Sequence, residues 1–402
     1  MRKHRLVIAG ATLLAATMAM SACGTRSDPG TSNSNDVKVA KIGVIAPLSG
    51  DLSALGLGIR NSVDLAIKQA NENNTVPGWK LELDAQDDQA TPDVGKNAAT
   101  KLAGDTSVVG VVGTLNSSVA QSVQPVLSGA GIPQISPANT NPTLTKGANY
   151  ASAPARAYPT YFRTCTTDDV QGPFAAKYLY GEGIKKVATI HDKKAYGQGL
   201  VAAFTEAFKS AGGEIVDAQT INPDDKDFSA VISKVKGSSP DAVYYGGEYP
   251  QAGPLSQQMK AAGLNVALMG GDGIFDPAYI ELAGKTSNGD LATSVGAPTD
   301  TLESAKTFVS DYTAAGYKEP FGAYGAYSYD AANAIINGLK TSLANASDVK
   351  SALPATVEAI GKVSFDGATG PVSFDQYGDT TTKVLTVYKV TDGKWVAAKT
   401  GS

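Results

Sequence analysis

The sequence predicts an α/β protein built from two doubly wound, Rossmann-like lobes. Two observations carry this prediction: strand and helix patterns alternate along residues 39–136, and a second alternation runs along residues 185–271. Such an alternation favours a mostly parallel sheet with helices on both faces. The chain has 402 residues, enough for two such units, and its 42% hydrophobic and 18% charged residues are typical of a globular protein.

The first 36 residues predict an export signal and a lipid anchor. Three basic residues precede an apolar stretch at residues 6–20, which is too short to span a bilayer comfortably. Cys23 follows small residues in a pattern that resembles the lipobox of bacterial lipoproteins, although Met20 stands where that pattern has Leu. We therefore expect a signal peptide over residues 1–22 and a lipidated Cys23 at the start of a Gly/Ser/Asn-rich flexible tether, residues 23–36. The alternative is an ordinary signal peptide with an incidental cysteine.

The elements of the first unit follow from the spacing of apolar residues. Apolar positions repeat with helical spacing after residue 58, and short apolar runs predict buried strands. We expect strands at residues 39–47, 81–88, 108–112 and 132–136, and helices at 58–71, 94–102 and 118–129. Residues 139–161 contain four Pro or Gly residues and little periodicity, which predicts a long connection.

The second unit shows the same alternation. We expect strands at residues 185–191, 214–220, 241–247 and 266–271, and helices at 199–211, 228–236 and 253–263. Apolar residues at helical spacing then predict helices at 302–312 and 327–344. Near the end, Asp392-Gly393 is a turn signal typical of a hairpin.

Hydroxyl-rich turns follow two neighbouring strands of the first unit. In open α/β sheets, ligands bind outside the carboxyl ends of the strands. Residues 116–118, Asn-Ser-Ser, end one strand and begin a helix, whose free amides favour an anion. Ser136, Ala138 and Thr140 follow the next strand and add carbonyl, amide and hydroxyl groups. Plain N-capping by Ser118 is the alternative for one turn alone, but two adjacent turns of this kind favour a binding site.

The second unit supplies acids and an aromatic at its strand ends. Asp272 lies between glycines after an apolar strand, Glu248 follows another strand, and Tyr196 follows a third. An acid in this position pairs with a cation, although a turn aspartate is the alternative for Asp272. Together the two lobes offer the chemical complement of a free amino acid.

The chain resembles the leucine/isoleucine/valine-binding protein family, the type I periplasmic solute-binding proteins of ABC importers. The resemblance runs from "IGVIAPLSG" to "GPVSFDQYGD", and its landmarks occur in order: "QGPFAAKYL", "HDKKAYGQGL", "DKDFSAVISKVK", "DAVYYGGEYPQ" and "GDGIFDPAY". It implies a type I binding-protein fold whose lobes are joined by three hinge crossovers, near Cys165, Val295 and Leu385. The implied lobes are residues 37–165 plus 296–384, and residues 166–295 plus 385–402.

The resemblance also implies roles for individual residues. Ser117 would bind the ligand carboxylate, Ala138 would offer its carbonyl to the ammonium, and Thr140 would bridge both charged groups. Asp272 would be the acidic partner of the ammonium, where the family often has Glu. Tyr196 would close over the ligand from the second lobe, and Asp168 would lie near the lobe interface.

Two positions depart from the branched-chain pattern. Leu55 stands where the family commonly has an aromatic residue over the side-chain pocket, and Glu248 stands where branched-chain binders have Tyr. An acid facing an aliphatic ligand would be desolvated without compensation. The hypothesis is that Glu248 contacts a polar or cationic part of the ligand; the alternative is that it turns to water. We expect Tyr249 and Tyr324 to line the same pocket.

The remaining expectations concern partners. Without residues 1–22 the chain holds 31 Lys and Arg against 38 Asp and Glu, a charge of −7, so we expect no nucleic-acid partner. One histidine, His191, remains, and catalytic, metal and phosphate-loop motifs are missing, so we expect no enzyme, cofactor or metal site. With Cys23 lipidated, Cys165 would be an unpaired, buried residue.

We therefore expect a monomeric, extracytoplasmic lipoprotein, anchored to the cell membrane through Cys23, that binds an amino acid and delivers it to ABC transporter permease subunits. The expected ligand is a branched-chain or related, more polar amino acid. Two alternatives stay open: a binder of amides, urea or another small solute within the same family, and a sensory ligand-binding protein.

Overall fold

The computed structural model describes residues 37–402, so the predicted signal peptide, lipidation site at Cys23 and tether lie outside the described residues. In the described part the strands form a five-stranded sheet, a seven-stranded sheet and a two-stranded ribbon. None of its helices combines the length and apolar character that crossing a membrane requires.

The first sheet is parallel throughout and carries helices on its connections. Its elements are β1 (Lys38–Ala46), α1 (Ser53–Glu72), β2 (Trp79–Asp87), α2 (Pro92–Gly104), β3 (Val108–Gly113), α3 (Ser117–Gly129), β4 (Gln134–Ser136), α4 (Thr143–Lys146) and β5 (Tyr161–Arg163). The strand order is β2-β1-β3-β4-β5. All six residues of β3 are buried, as expected for a strand covered by helices on both faces.

The second part of the chain begins with another alternating segment. Its elements are α5 (Asp168–Gly181), β6 (Lys186–His191), α6 (Ala195–Ser210), β7 (Glu214–Thr220), α7 (Ser229–Gly237), β8 (Ala242–Gly246), α8 (Tyr249–Ala261), β9 (Ala267–Gly270), α9 (Pro277–Ala283) and β10 (Leu291–Val295). The chain then continues through α10 (Lys306–Ala314), α11 (Gly325–Ser342), α12 (Val349–Gly361), β11 (Ser364–Gly367), β12 (Gly370–Ser373), β13 (Leu385–Thr391) and β14 (Lys394–Gly401).

The second sheet has the order β14-β13-β10-β9-β8-β6-β7. It is parallel from β10 to β7, while β13 pairs antiparallel with both β10 and β14. The segment between β10 and β13 returns to the first sheet, where α11 packs on α1, β3 and β4. The predicted class, two doubly wound lobes, is confirmed.

The chain crosses between the lobes after β5, after β10 and before β13. At the last two crossings, the amide of Gly296 donates to the carbonyl of Val384 at 2.8 Å, and the Thr386 hydroxyl donates to the carbonyl of Gly296 at 2.7 Å. Cys165 lies in the first crossover and is fully buried, as expected. The lobe boundaries after residues 165, 295 and 384 stay predictions.

The structure differs from the predicted elements at a few places. The helix expected at 302–312 is α10, which begins only at Lys306, because Leu302 has extended backbone angles that separate two short 3-10 turns. The connection predicted for residues 139–161 contains the end of the turn that follows β4, and then the short helix α4. The sequence did not predict the helices α5, α9 and α12, the strands β5 and β10, or the β11–β12 ribbon. The turn at Asp392-Gly393 joins β13 and β14 as expected, with φ of 50° and 75°.

Candidate functional site

The amino end of α3 forms one wall of the site. Asn116 is its N-cap residue, with extended backbone, and makes no side-chain capping hydrogen bond. The capping by Ser118 that the sequence left open is therefore not the arrangement found, since the helix begins one residue earlier, at Ser117. The first amides of a helix have no intrahelical partner, so this buried end favours a negatively charged group.

The turn after β4 lies beside that helix end. The Ser136 hydroxyl donates to the carbonyl of Thr114 at 2.9 Å and accepts the amide of Asn139 at 2.8 Å. These bonds fix the backbone on either side of Ala138, which is buried. The Thr140 hydroxyl is buried and has no hydrogen-bond partner within residues 37–402. The hydrogen bonds of Ser136 thus stabilise the turn, while the Thr140 hydroxyl remains available as a donor.

A fully buried ion pair supports the same turn from behind. The Arg163 guanidinium donates to the Asp379 carboxylate at 2.6 Å and to the carbonyls of Asn139 and Asn141 at 2.7 and 2.9 Å. Burial alone would raise the pKa of Asp379, but the charge and hydrogen bond of Arg163, together with the charge of Lys146, lower that pKa below its ordinary value. Since Thr140 lies between the two carbonyls, Arg163 fixes its backbone.

Asp272 forms the opposite wall and follows β9. It is 1% exposed, and its oxygens accept hydrogen bonds from Tyr196 at 2.8 Å, Gln171 at 2.9 Å and Tyr324 at 2.8 Å. All three donors are neutral. Burial raises the pKa of Asp272, and these hydrogen bonds oppose that rise without cancelling it. A carboxylate in this position lacks a compensating positive charge.

Asp168 lies behind Asp272 and is a second buried carboxyl group on this side of the site. Its Oδ1 accepts a hydrogen bond from Gln171 at 3.2 Å, and its Oδ2 has no partner within the described residues. Burial, followed by repulsion from Asp272, raises the pKa of Asp168 well above its ordinary value. Two buried carboxyl groups with only neutral donors favour the binding of a cation.

Glu248 is bound by groups from both lobes. One carboxylate oxygen accepts a hydrogen bond from Asn116 Nδ2 at 2.7 Å, and the other forms an ion pair with Lys194 Nζ at 2.9 Å. Glu248 is 5% exposed, so it does not turn to water, and Lys194 compensates its charge. Lys194 follows a different strand from Glu248, so the two residues meet only in the folded protein. The hypothesis that Glu248 contacts a polar part of the ligand stays a prediction.

A small, partly open cavity lies between the two walls. Residues of both lobes line it: Leu55, Leu115, Asn116, Ser117, Ala138, Tyr196, Glu248, Asp272, Gly273 and Tyr324. We call this space the cleft cavity.

The cleft cavity contains seven of the nine predicted ligand-binding residues. Thr140 and Asp168 are buried nearby but do not line it, and Tyr249 instead donates a hydrogen bond to the carbonyl of Asp51. The sequence reasoning did not select Leu115, Asn116 or Gly273 as binding residues, although each adjoins a selected or strand-end residue. The ligand-binding roles of all these residues stay predictions.

Hydrogen bonds between the lobes surround the cleft cavity. Tyr324 of the first lobe donates to Asp272 of the second, and Asn116 donates to Glu248. Beyond the cavity, Asn141 Nδ2 donates to the carbonyl of Ala195 at 2.6 Å. The lobes are therefore in contact across the cleft.

Because Asp192 is buried close to Glu248, we expect the free energy of unfolding to depend on pH. Burial, and next the charge of Glu248, raise the pKa of Asp192. A carboxyl group whose pKa is higher in the folded state stabilises that state fully below its unfolded pKa of about 3.9, and this contribution is lost as the pH rises through the folded pKa. We expect Asp192→Asn to make the free energy of unfolding fall less steeply with rising pH than in the wild type.

Urea denaturation at a series of pH values from about 4 to 9 measures this slope. Asp366→Asn, which replaces an exposed aspartate, is the control and should follow the wild-type curve. Parallel curves for Asp192→Asn and the wild type would contradict the prediction.

Two doubly wound lobes with a small cavity between them define the class of two-lobed solute-binding proteins. The chain belongs to the periplasmic binding protein family, which matches residues 39–394. The predicted resemblance to the leucine/isoleucine/valine-binding proteins is thereby confirmed at the level of the family.

Individual relatives agree with this assignment. The chain is 33% identical to the Leu/Ile/Val-binding protein BraC3 of Rhizobium johnstonii over 364 residues, 89% of this chain and 93% of that protein. It is 27% identical to the branched-chain amino acid transporter substrate-binding protein LivJ of Streptococcus pneumoniae, solved in complex with isoleucine, with a TM-score of 0.79 over 90% of this chain and 99% of LivJ. A solute-binding protein of R. palustris, solved in complex with benzoate, shares the fold at 23% identity, with a TM-score of 0.78 over 90% of this chain and 96% of that one.

Proposed function

We propose that the protein captures a free amino acid in the cleft cavity and delivers it to the permease subunits of an ABC importer. Members of the family are extracytoplasmic and work with such permeases, and BraC3 and LivJ are named for branched-chain substrates. The proposed form is a monomeric lipoprotein anchored through Cys23.

One observation carries the proposal: the cleft cavity has walls of opposite electrostatic character. Ser117 and the uncapped end of α3 favour a carboxylate, and Asp272, which has only neutral hydrogen-bond donors, favours an ammonium group. A zwitterion would satisfy both walls at once. An amide or urea would leave Asp272 without a positive partner, which disfavours that alternative.

The proposal assigns the protein a binding role without turnover. His191, the one histidine after residue 36, ends β6 outside the cleft cavity and accepts a hydrogen bond from the amide of Lys193 at 3.1 Å. Asp272 is held by three side chains from both lobes, an arrangement that suits closure around a ligand.

A thermal-shift screen of the twenty amino acids, with amides, urea and polyamines, tests the proposal. We expect one or a few amino acids to raise the melting temperature, because a ligand at about 100 times its Kd adds about 2.7 kcal/mol to the free energy of unfolding. A rise with urea or amides alone would favour the alternative solute class. Consumption of the bound compound would contradict a pure binding role.

A further inference from the structure

We propose that Asn116 recognises a hydrogen-bond donor on the ligand side chain, so that the preferred ligands are amino acids with a hydroxyl or amide side chain. This inference rests on the proposed function and names the ligand class of the same site. The evidence for it is the hydrogen bond between Asn116 and Glu248, two residues that line the cleft cavity.

The orientation of the Asn116 amide is fixed chemically. Glu248 pairs with Lys194 at 2.9 Å, and an ionised carboxylate accepts hydrogen bonds but donates none. The group of Asn116 that lies 2.7 Å from Glu248 must therefore be its nitrogen. The carboxamide oxygen, Oδ1, points away from Glu248 and can only accept.

That oxygen is buried and has no partner. Asn116 is 4% exposed, and its Oδ1 makes no hydrogen bond within residues 37–402. The residue lines the cleft cavity beside Leu55 and Leu115, whose side chains offer no donor. Because Asn116 lines the cavity, a ligand there can supply the missing donor, and a buried acceptor left unpaired lowers affinity.

Glu248 acts in this scheme as a positioning residue. Both of its oxygens already hold donors from the protein, one from each lobe. It fixes the Asn116 amide when the lobes meet, and so makes the recognition depend on closure. This replaces the earlier hypothesis that Glu248 itself contacts a polar or cationic part of the ligand.

Isothermal titration calorimetry with pairs of nearly isosteric amino acids tests the inference. The pairs are threonine and valine, asparagine and leucine, and glutamine and methionine. The two members of each pair differ mainly in the hydrogen-bond donor, and the three pairs differ from one another in side-chain length. We expect the donor-bearing member of at least one pair to bind about tenfold more tightly or better, because its partner leaves Oδ1 unpaired. Equal affinities within all three pairs, or tighter binding of the apolar members, would overturn the inference.

Variants separate recognition from a merely structural effect. Asn116→Leu should abolish or reverse the preference within the pair, and Glu248→Leu should reduce it because the Asn116 amide can then rotate. Gln124→Met is the matched control: it removes a buried amide of the same helix that bonds the carbonyl of Leu144 at 3.0 Å, away from the cleft cavity. An unchanged affinity ratio in Asn116→Leu would also overturn the inference. A wild type that binds no amino acid would overturn the proposed function as well, whereas equal affinities overturn the inference alone.

Discussion

Replacing Asp272 with alanine is expected to abolish the ligand-induced rise in melting temperature while leaving a cooperatively folded protein. Asp272 is the acid of the cleft cavity that has no positively charged partner, and its hydrogen bonds come from Tyr196, Gln171 and Tyr324. Loss of one partner of a buried charge pair costs about 2–5 kcal/mol, which weakens the binding of an ammonium group by about thirtyfold or more. Calorimetric titration with the ligand found in the screen measures the loss.

Asp276→Ala is the matched control for that experiment. Asp276 lies four residues further along, caps α9 by accepting the amide of Ala278 at 2.8 Å, and does not line the cleft cavity. Its removal should cost about 1 kcal/mol of stability through the lost cap and leave ligand affinity unchanged. If Asp272→Ala folds and binds the ligand as tightly as the wild type, the assignment of Asp272 is wrong.

Tyr324→Phe tests the hydrogen bond between the lobes while leaving the carboxyl group of Asp272 in place. It removes the 2.8 Å hydrogen bond to Asp272, whereas Tyr279→Phe removes a 2.8 Å bond to Asp290 within the second lobe. Both changes should destabilise the fold by a similar, small amount. Only Tyr324→Phe should weaken ligand binding, because only that bond forms between the two walls of the cavity.

The second large effect is expected at the buried ion pair of the first lobe. Arg163→Met should lower the free energy of unfolding by about 3–5 kcal/mol, because it leaves the buried carboxylate of Asp379 with only the longer ion pair to Lys146, at 3.5 Å. Arg163 and Asp379 are each 0% exposed, and Arg163 also holds the carbonyls of Asn139 and Asn141. Urea denaturation measures the loss of stability.

Two further variants qualify this prediction. Lys41→Met breaks the partly exposed pair with Asp105 and should destabilise far less, because such pairs are screened by water. Arg163→Lys keeps the charge but not the planar fork of donors, so we expect an intermediate loss of stability and weaker ligand binding through a less rigid turn at Thr140. Equal losses in Arg163→Met and Lys41→Met would contradict the role given to the ion pair.

Elements with one-sided apolar patterns could be predicted from the sequence, and elements without such patterns could not. The strand β3 matches its predicted bounds to within one residue, and the helix α1 was predicted although it begins five residues earlier than expected, at Ser53. Helix α5 was missed because several of its buried positions hold polar or small residues, such as Asp168 and Gln171, and because Pro173 lies inside it. Helix α12 also contains a proline, Pro354, which reads as a break in the sequence.

Some features of the site could likewise be predicted from the sequence, and others could not. Ser117 and Asp272 could be selected because each follows an apolar strand in a turn with unusual chemistry, a local feature of the sequence. The pairing of Glu248 with Lys194 and Asn116 could not be predicted, since the three residues belong to separate connections. The order of residues along the chain does not indicate which connections contact each other in the folded protein.

The sequence by itself determined the class of the fold, the alternation of strands and helices and the residue types at the strand ends, because these depend on local spacing and turn chemistry. The tertiary structure alone decided which of these strand ends face each other, and hence that Asp272 has only neutral partners while Glu248 has a lysine. The physical reason is that charge compensation and burial act through space, between residues as far apart in the chain as Asn116 and Glu248.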